Sequence, residues 1–205
     1  SSVETLGATS VIITDKTGTL TANQMTVTDI LLEDGAVKVH GEGLDINGNF
    51  EWVNSKNDET ETKILEKLLK VGVLCNDASL TNNDGQIAET IGEPMEIALQ
   101  IAGFKADITK ESLKEDLPEV KKIAFEQSTK MMATVHVVEE DRYLYAVKGS
   151  PEAVFASSSY IAVKGKNREF SEKVKEKWSK KSENLANRGL RIIAIAMKER
   201  SQKDE

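Results

Sequence analysis

A single cysteine, the lack of any long apolar run and the lack of a basic excess set the first bounds on this chain. With Cys75 alone there is no intramolecular disulfide, which fits a reducing compartment. Its expected role is that of a small buried apolar residue rather than a reactive thiol. No segment approaches the ~20 consecutive apolar residues that a membrane-spanning helix needs. The longest candidates, such as residues 192–197, have the length of a strand. No basic-then-apolar leader opens the sequence. Lys and Arg number 27 against 34 Asp and Glu, a net charge of −7. That balance argues against a general nucleic-acid binder and still leaves room for a local basic pocket. His40 and His136 lie far apart and, with one cysteine, make no zinc set. His136, between Val135 and Val137, is expected to point outward from a strand. Internal repeats and low-complexity tracts are absent.

What is there suffices, in 205 residues, for one good core or for one domain plus a fragment of another. Val11, Ile12 and Ile13 read as a buried parallel strand. Residues 26–39 alternate apolar and polar around Asp34 and Gly35, the pattern of a hairpin. Phe50–Val53 reads as a strand and residues 54–60 as a loop. Between residues 61 and 74, Ile64, Leu65, Leu68, Leu69 and Gly72 fall at helical spacing, a core-facing stripe. Residues 76–85 are turn-rich. Helices are expected over 94–102, with Pro94 in the first turn, and over 110–116, capped by Thr109. Strands follow at 120–126, 131–139 and 143–147. Pro151 opens a short helix, and 160–163 is a strand. Phe170, Val174, Trp178 and Leu185 mark one face of a long helix that Gly189 stops. Residues 190–197 return as a buried strand before a frayed, charged tail. Strands and helices mixed around hairpins predict an α+β, mostly antiparallel domain.

Two groups of residues carry chemistry. Asp15 follows the first strand, at the edge where open α/β sheets place their ligands. An acidic side chain there, followed by Thr17, Gly18 and Thr19, suits a carboxylate that attacks phosphorus. Gly18 permits a tight turn, and the loop amides and both hydroxyls can donate to phosphate oxygens. A lone Asp after a strand is usually a turn or cap residue, so the weight rests on the whole heptad at 15–21, DKTGTLT.

The second group is dispersed. Residues 92–96 (GEPME) open a helix with a carboxylate in its first turn. Residues 125–130 (FEQSTK) set an aromatic and a cation five positions apart. Residues 148–152 (KGSPE) put a lysine beside a glycine at a strand-to-helix bend, and 188–191 (RGLR) place two guanidiniums before a strand. Singly, each has a structural explanation: Glu96 favoured by the helix macrodipole, Phe125 in a core, Lys130, Lys148 and Arg191 solvated. Together they hold what adenine and a triphosphate require. Stacking contributes roughly 1–3 kcal/mol per base, and charge-assisted hydrogen bonds about 1.5–3 kcal/mol each. The losses on association offset much of that. Weak binding, ~0.1–1 mM, is expected.

The heptad resembles the phosphorylation signature of P-type ATPases, ion pumps that form an aspartyl phosphate. The four later motifs resemble, in the same order, the nucleotide-binding domain of that family. Residues 74–77 (LCND) resemble a further segment of the calcium-pump-like kind, so the resemblance covers essentially the whole chain. It implies a twisted antiparallel sheet with flanking helices, inserted just after the Asp-bearing loop. Residues 1–25 would then be a fragment of the phosphorylation domain with its hinge, 26–198 the nucleotide-binding domain, and 199–205 a frayed tail.

By position, the resemblance makes Asp15 the phosphorylated nucleophile, with Lys16, Thr17 and Thr19 in its catalytic loop. Phe125 should stack on adenine and Glu96 should contact its amine. Lys130, Lys148 and Gly149 should line the base and ribose pocket, and Arg191 should reach the phosphates; Arg188 is expected to be a surface charge. Mg²⁺ would be held by Asp15, the Thr17 carbonyl and a later aspartate beyond Glu205. Without that aspartate and a later lysine, the chain is expected to bind ATP without turnover. Met95 stands where calcium pumps often carry Thr, and Gln127 where some carry an Arg that touches phosphate. Weak discrimination between ATP and ADP is therefore expected. The implied partners are ATP and the phosphorylation, actuator and membrane domains of the same polypeptide, with no nucleic acid. The piece itself is expected to be soluble and monomeric, and the intact pump to lie in the cell membrane with this domain on its cytoplasmic face. Two alternatives stand beside this reading. A haloacid-dehalogenase-like phosphatase with a large cap shares the nucleophilic Asp but carries an acid/base Asp where Thr17 stands. The other is a non-enzymatic nucleotide sensor.

Overall fold

The computed structural model describes residues 23–53, 59–83 and 85–201, so the strand and heptad expected at residues 11–21 lie outside the described residues. The first described layer is a three-stranded antiparallel sheet in chain order, β1 (Asp29–Leu31), β2 (Ala36–Val39) and β3 (Phe50–Val53). Leu31 faces Ala36 across the expected turn, which the Leu32 amide closes by donating to the Gly35 carbonyl at 2.9 Å.

Helix α1 (Glu59–Leu74) starts inside the stretch expected as a loop and lies between two apolar layers. Its Leu65 and Leu69, with Ala102 of α2 (Pro94–Phe104), pack on Ile30, Val37 and Val39 of the small sheet. Farther along, Val71, Val73 and Leu74 join Leu113, Leu117, Met132, Leu144 and Ala146 in a second core. A helix end that is apolar on every side is buried on every side. Helix α3 (Lys110–Lys114) starts as expected: Thr109 Oγ1 accepts from the Ser112 amide at 3.0 Å, and Ser112 Oγ accepts from the Thr109 amide at 3.1 Å.

The second core is roofed by a four-stranded antiparallel sheet built from β6 (Glu119–Glu126), β7 (Met131–Glu139), β8 (Arg142–Gly149) and β11 (Ala194–Arg200), in the order β11-β8-β7-β6. The alternation in β8 places Leu144, Ala146 and Lys148 on its buried face. Helix α4 (Pro151–Ser157) begins with Ser150 as cap and Pro151 in its first turn, and α5 (Glu172–Ala186) follows later. Phe170 precedes α5 rather than lying on it; it meets Phe155 edge-on at 5.5 Å, and Phe155 meets Trp178 at 6.3 Å.

Four further expectations are corrected. The turn-rich stretch 76–85 holds the first strand and turn of a hairpin, β4 (Ser79–Asn83) with β5 (Gln86–Ile91), and β9 (Tyr160–Val163) has a partner in β10 (Lys166–Glu169). Both were missed because these strands are largely exposed and show no apolar alternation. In the second hairpin Lys164 and Gly165 both have positive φ, as a tight two-residue connection needs. The strand expected from residue 190 begins at Ala194 and is half-buried at most, because β11 is a sheet edge; it pairs through Arg200 with Tyr143. Lastly, His136 points inward and is buried, with Nδ1 3.0 Å from the Leu117 carbonyl and Nε2 2.8 Å from Thr134 Oγ1. Val135 on the opposite face is buried too, so the alternation of residues 135–137 carried no direction. Among the described residues no helix is long and apolar enough to cross a membrane.

Candidate functional site

One cross-strand row organises the predicted residues. Glu126 of β6 faces Met131 of β7, Met131 faces Gly149 of β8, and Gly149 faces Ala194 of β11. Phe125 and Lys148 sit one residue before Glu126 and Gly149. Lys130 sits in the β6–β7 turn just before Met131, and Arg191 three residues before Ala194. The register thus gathers three motifs, scattered over 67 positions from 125 to 191, at one end of the large sheet.

Phe125 is in a bulge: β6 carries one extra residue between Ile123 and Glu126, opposite Ala133 to Met131. Phe125 is 59 % exposed on an edge strand. The turn beside it is closed by the Lys130 amide donating to the Glu126 carbonyl at 2.7 Å, with Lys130 itself at φ +53°. The Lys130 carbonyl then accepts from the Ser150 amide at 3.0 Å. A Cβ on Gly149 would run into that carbonyl and into Met131 Cγ, 2.8 Å away, so only glycine lets the turn dock on the β8–α4 bend. Hydrogen bonds from its own amide and from Ser150 hold the Glu152 carboxyl below its usual range, and the charge of Lys130 adds to this. Lys130 and Arg191 are exposed, as is Arg188.

Beneath the corner, Lys148 and Glu96 form an ion pair, 5 % and 8 % exposed respectively. Pro94 starts α2 and puts Glu96 in its first turn, with the carboxylate under β8. The second carboxylate oxygen accepts from the Asp77 amide at 3.1 Å, and the Glu96 carbonyl accepts from Asn76 Nδ2 at 2.9 Å. Asp77 in turn binds Lys122 of β6 at 2.6 Å, which raises the lysine pKa. Cys75, next in the same loop, is buried, and burial pushes its thiol up to about 11. It is the inert small residue expected.

Across residues 64–205 the chain matches a family model described as the P-type ATPase, cytoplasmic domain N. The chain belongs to this family. This N domain is 34 % identical over 196 residues to a calcium-transporting ATPase of Listeria monocytogenes, covering 96 % of the chain and 20 % of the relative. It is 35 % identical over 195 residues to a calcium-transporting ATPase of Bacillus subtilis, covering 95 % and 22 %. A cation-transporting ATPase of Synechocystis is 33 % identical over 207 residues, covering 96 % and 22 %. The chain therefore spans about a fifth of the length of the curated relatives it matches.

Within the N domain, then, Glu96 and Lys148 are in direct contact, and Phe125, Lys130, Gly149 and Arg191 share one corner with them. Asp15, Lys16, Thr17 and Thr19 lie outside the described residues. Among the described residues no three His, Cys, Asp or Glu side chains are grouped to hold a metal. Two shallow depressions, one at Asp141, Glu199, Arg200 and Ser201 and one between α4, β10 and α5, include none of the predicted site residues. Sequence reasoning missed Asn76, Asp77 and Lys122. The segment at 74–77 marked the family, but nothing local linked it to a lysine 45 positions away.

Proposed function

We propose that this N domain binds ATP at the corner defined by Phe125, Lys130, Lys148, Gly149 and Arg191, within residues 26–198. In the intact protein it would serve a calcium-transporting P-type ATPase, on the cytoplasmic side of the membrane. The observation that carries the reading is Phe125, 59 % exposed at the end of the sheet where Lys130 and Lys148 adjoin the paired row Glu126, Met131 and Gly149. An apolar face exposed at a basic corner suits a ligand that is flat at one end and anionic at the other.

The base would stack on Phe125. Glu96, paired with Lys148, retains unused lone pairs to accept from the adenine amine, since a carboxylate offers about four acceptor sites. Lys130 and Arg191 would neutralise phosphate charge. The γ-phosphorus would then be attacked in line by an Asp15 oxygen, breaking the bond to the departing ADP and leaving an aspartyl phosphate. Asp15 and the Thr17 carbonyl are hard oxygen donors of the kind Mg²⁺ takes, and the ion would supply charge neutralisation there. Transport of calcium is carried over from the names of the relatives.

The test is an NMR titration of the chain with ATP, ADP, AMP and GTP, repeated on Phe125→Ala. ATP should shift the amides of 125–131, 148–150, Glu96 and Arg191, with a dissociation constant of ~0.1–1 mM. Phe125→Ala should weaken ATP at least about fivefold, the lower end of what one stacked base contributes. Shifts spread over other surfaces, or an unchanged affinity in Phe125→Ala, would refute the site. With Gln127 in place of a phosphate-binding Arg, ATP and ADP should bind about equally; a strong ATP preference would count against that part.

A further inference from the structure

We propose that Asp77 and Lys122 are positioning residues for the base subsite: their ion pair straps the edge strand that carries Phe125 to the loop that holds Glu96. The inference rests on the ATP-binding reading above. Among the described residues β6 is an edge strand, hydrogen-bonded to β7 alone, and its ladder is interrupted by the bulge at Phe125. A strand held on one side and broken at the functional residue has little to fix that residue. Lys122 lies three residues before Phe125, in the regular stretch between the two register shifts of β6, opposite Thr134. Its Nζ reaches Asp77 Oδ1 at 2.6 Å. The Asp77 amide donates to Glu96 Oε2 at 3.1 Å, and the neighbouring Asn76 Nδ2 donates to the Glu96 carbonyl at 2.9 Å. The connected path is thus Lys148, Glu96, Asp77, Lys122, running from β8 through α2 and the α1–β4 loop to β6. It spans β7 from below and sets the distance between the stacking ring and the amine acceptor.

Both side chains of the strap are about half exposed, 44 % for Lys122 and 46 % for Asp77. An exposed pair of this kind adds little to global stability, so variants should stay folded. Adenine presents an amine where guanine presents a carbonyl. Loss of alignment between Phe125 and Glu96 should therefore weaken ATP more than GTP, whereas general damage would weaken both alike.

The experiment measures ATP and GTP affinities by NMR titration for the parent chain, Asp77→Ala, Lys122→Ala, the double variant, and the exchanged pair Asp77→Lys with Lys122→Asp. Each single variant should weaken ATP about two- to fivefold, the span an exposed ion pair can transmit, and shrink the ATP-to-GTP ratio. The double variant should be no worse than either single one, and the exchanged pair should recover the ratio. Unchanged ATP affinity, parallel losses of ATP and GTP, or additive losses would overturn the strap. Phe125→Ala separates the two levels. If it weakens ATP while Asp77→Ala does not, the strap alone falls; if it leaves ATP binding intact, the base site falls and the strap with it.

Discussion

At the scale of single residues, the pair Glu96–Lys148 has a structural role whatever it binds. Both are buried, so removing one partner leaves an uncompensated charge in the interior. Glu96→Ala should cost about 3–5 kcal/mol of unfolding free energy in urea titrations, and Glu96→Gln with Lys148→Met should recover much of it. His136 makes a prediction of different sign in pH. Burial lowers its pKa below the ordinary 6.5, against the Leu117 carbonyl and Glu119, which favour the proton, and together with Lys110, which opposes it. The unfolded chain therefore takes up a proton that the folded chain refuses. Stability is fully present above pH 6.5 and falls as pH drops through that value toward the folded pKa, by up to about 1.4 kcal/mol per pH unit. His136→Gln should flatten this slope in urea unfolding compared at pH 7 and about pH 5.5; an unchanged slope would show that another group is responsible.

At the scale of elements, the β6–β7 turn and the β8–α4 bend act as one unit because Gly149 lets them touch. Gly149→Ala places a methyl against the Lys130 carbonyl and Met131. Overpacking of this kind costs about 1–3 kcal/mol, and the displaced turn carries Lys130 with it. A lowered melting temperature together with weaker ATP binding is the expected result. Normal ATP affinity in a destabilised Gly149→Ala would mean that the turn does not set the pocket.

At the scale of the molecule, the small sheet is fastened to the later part of the chain by two adjacent carboxylates, Asp34 accepting from the Lys164 amide at 3.1 Å and Glu33 making the larger set of bonds. Glu33, in the β1–β2 connection, accepts from Arg168 at 2.9 Å, Lys177 at 3.0 Å and Trp178 Nε1 at 2.8 Å. Burial alone would raise its pKa, but the bonds from Lys177, Trp178 and Arg168 outweigh it, and the net shift is downward. The stability it contributes is present above the ordinary Glu value of 4.5 and is lost as pH falls below it. Glu33→Gln should lose about 1–3 kcal/mol at neutral pH and shift Trp178 fluorescence to longer wavelength. An unchanged emission spectrum would mean that the fastening is not made in solution.

Local pattern alone determined most of the elements. The hairpin at Asp34 and Gly35, the cap at Thr109, the prolines that open α2 and α4, and the stripe on α1 are all set by neighbours within a few residues, where turn geometry and helical periodicity act. The family was also legible there, in the heptad and the four later motifs. The polar strands β4, β5 and β10 were not, because backbone pairing holds them without an apolar face to mark it. Only the tertiary structure decided that His136 turns inward, that Glu96 is locked to Lys148, and that Asp77 reaches Lys122. Such contacts join positions 19 to 52 residues apart. Their partners are chosen by sheet register and burial, quantities that no short window of sequence contains.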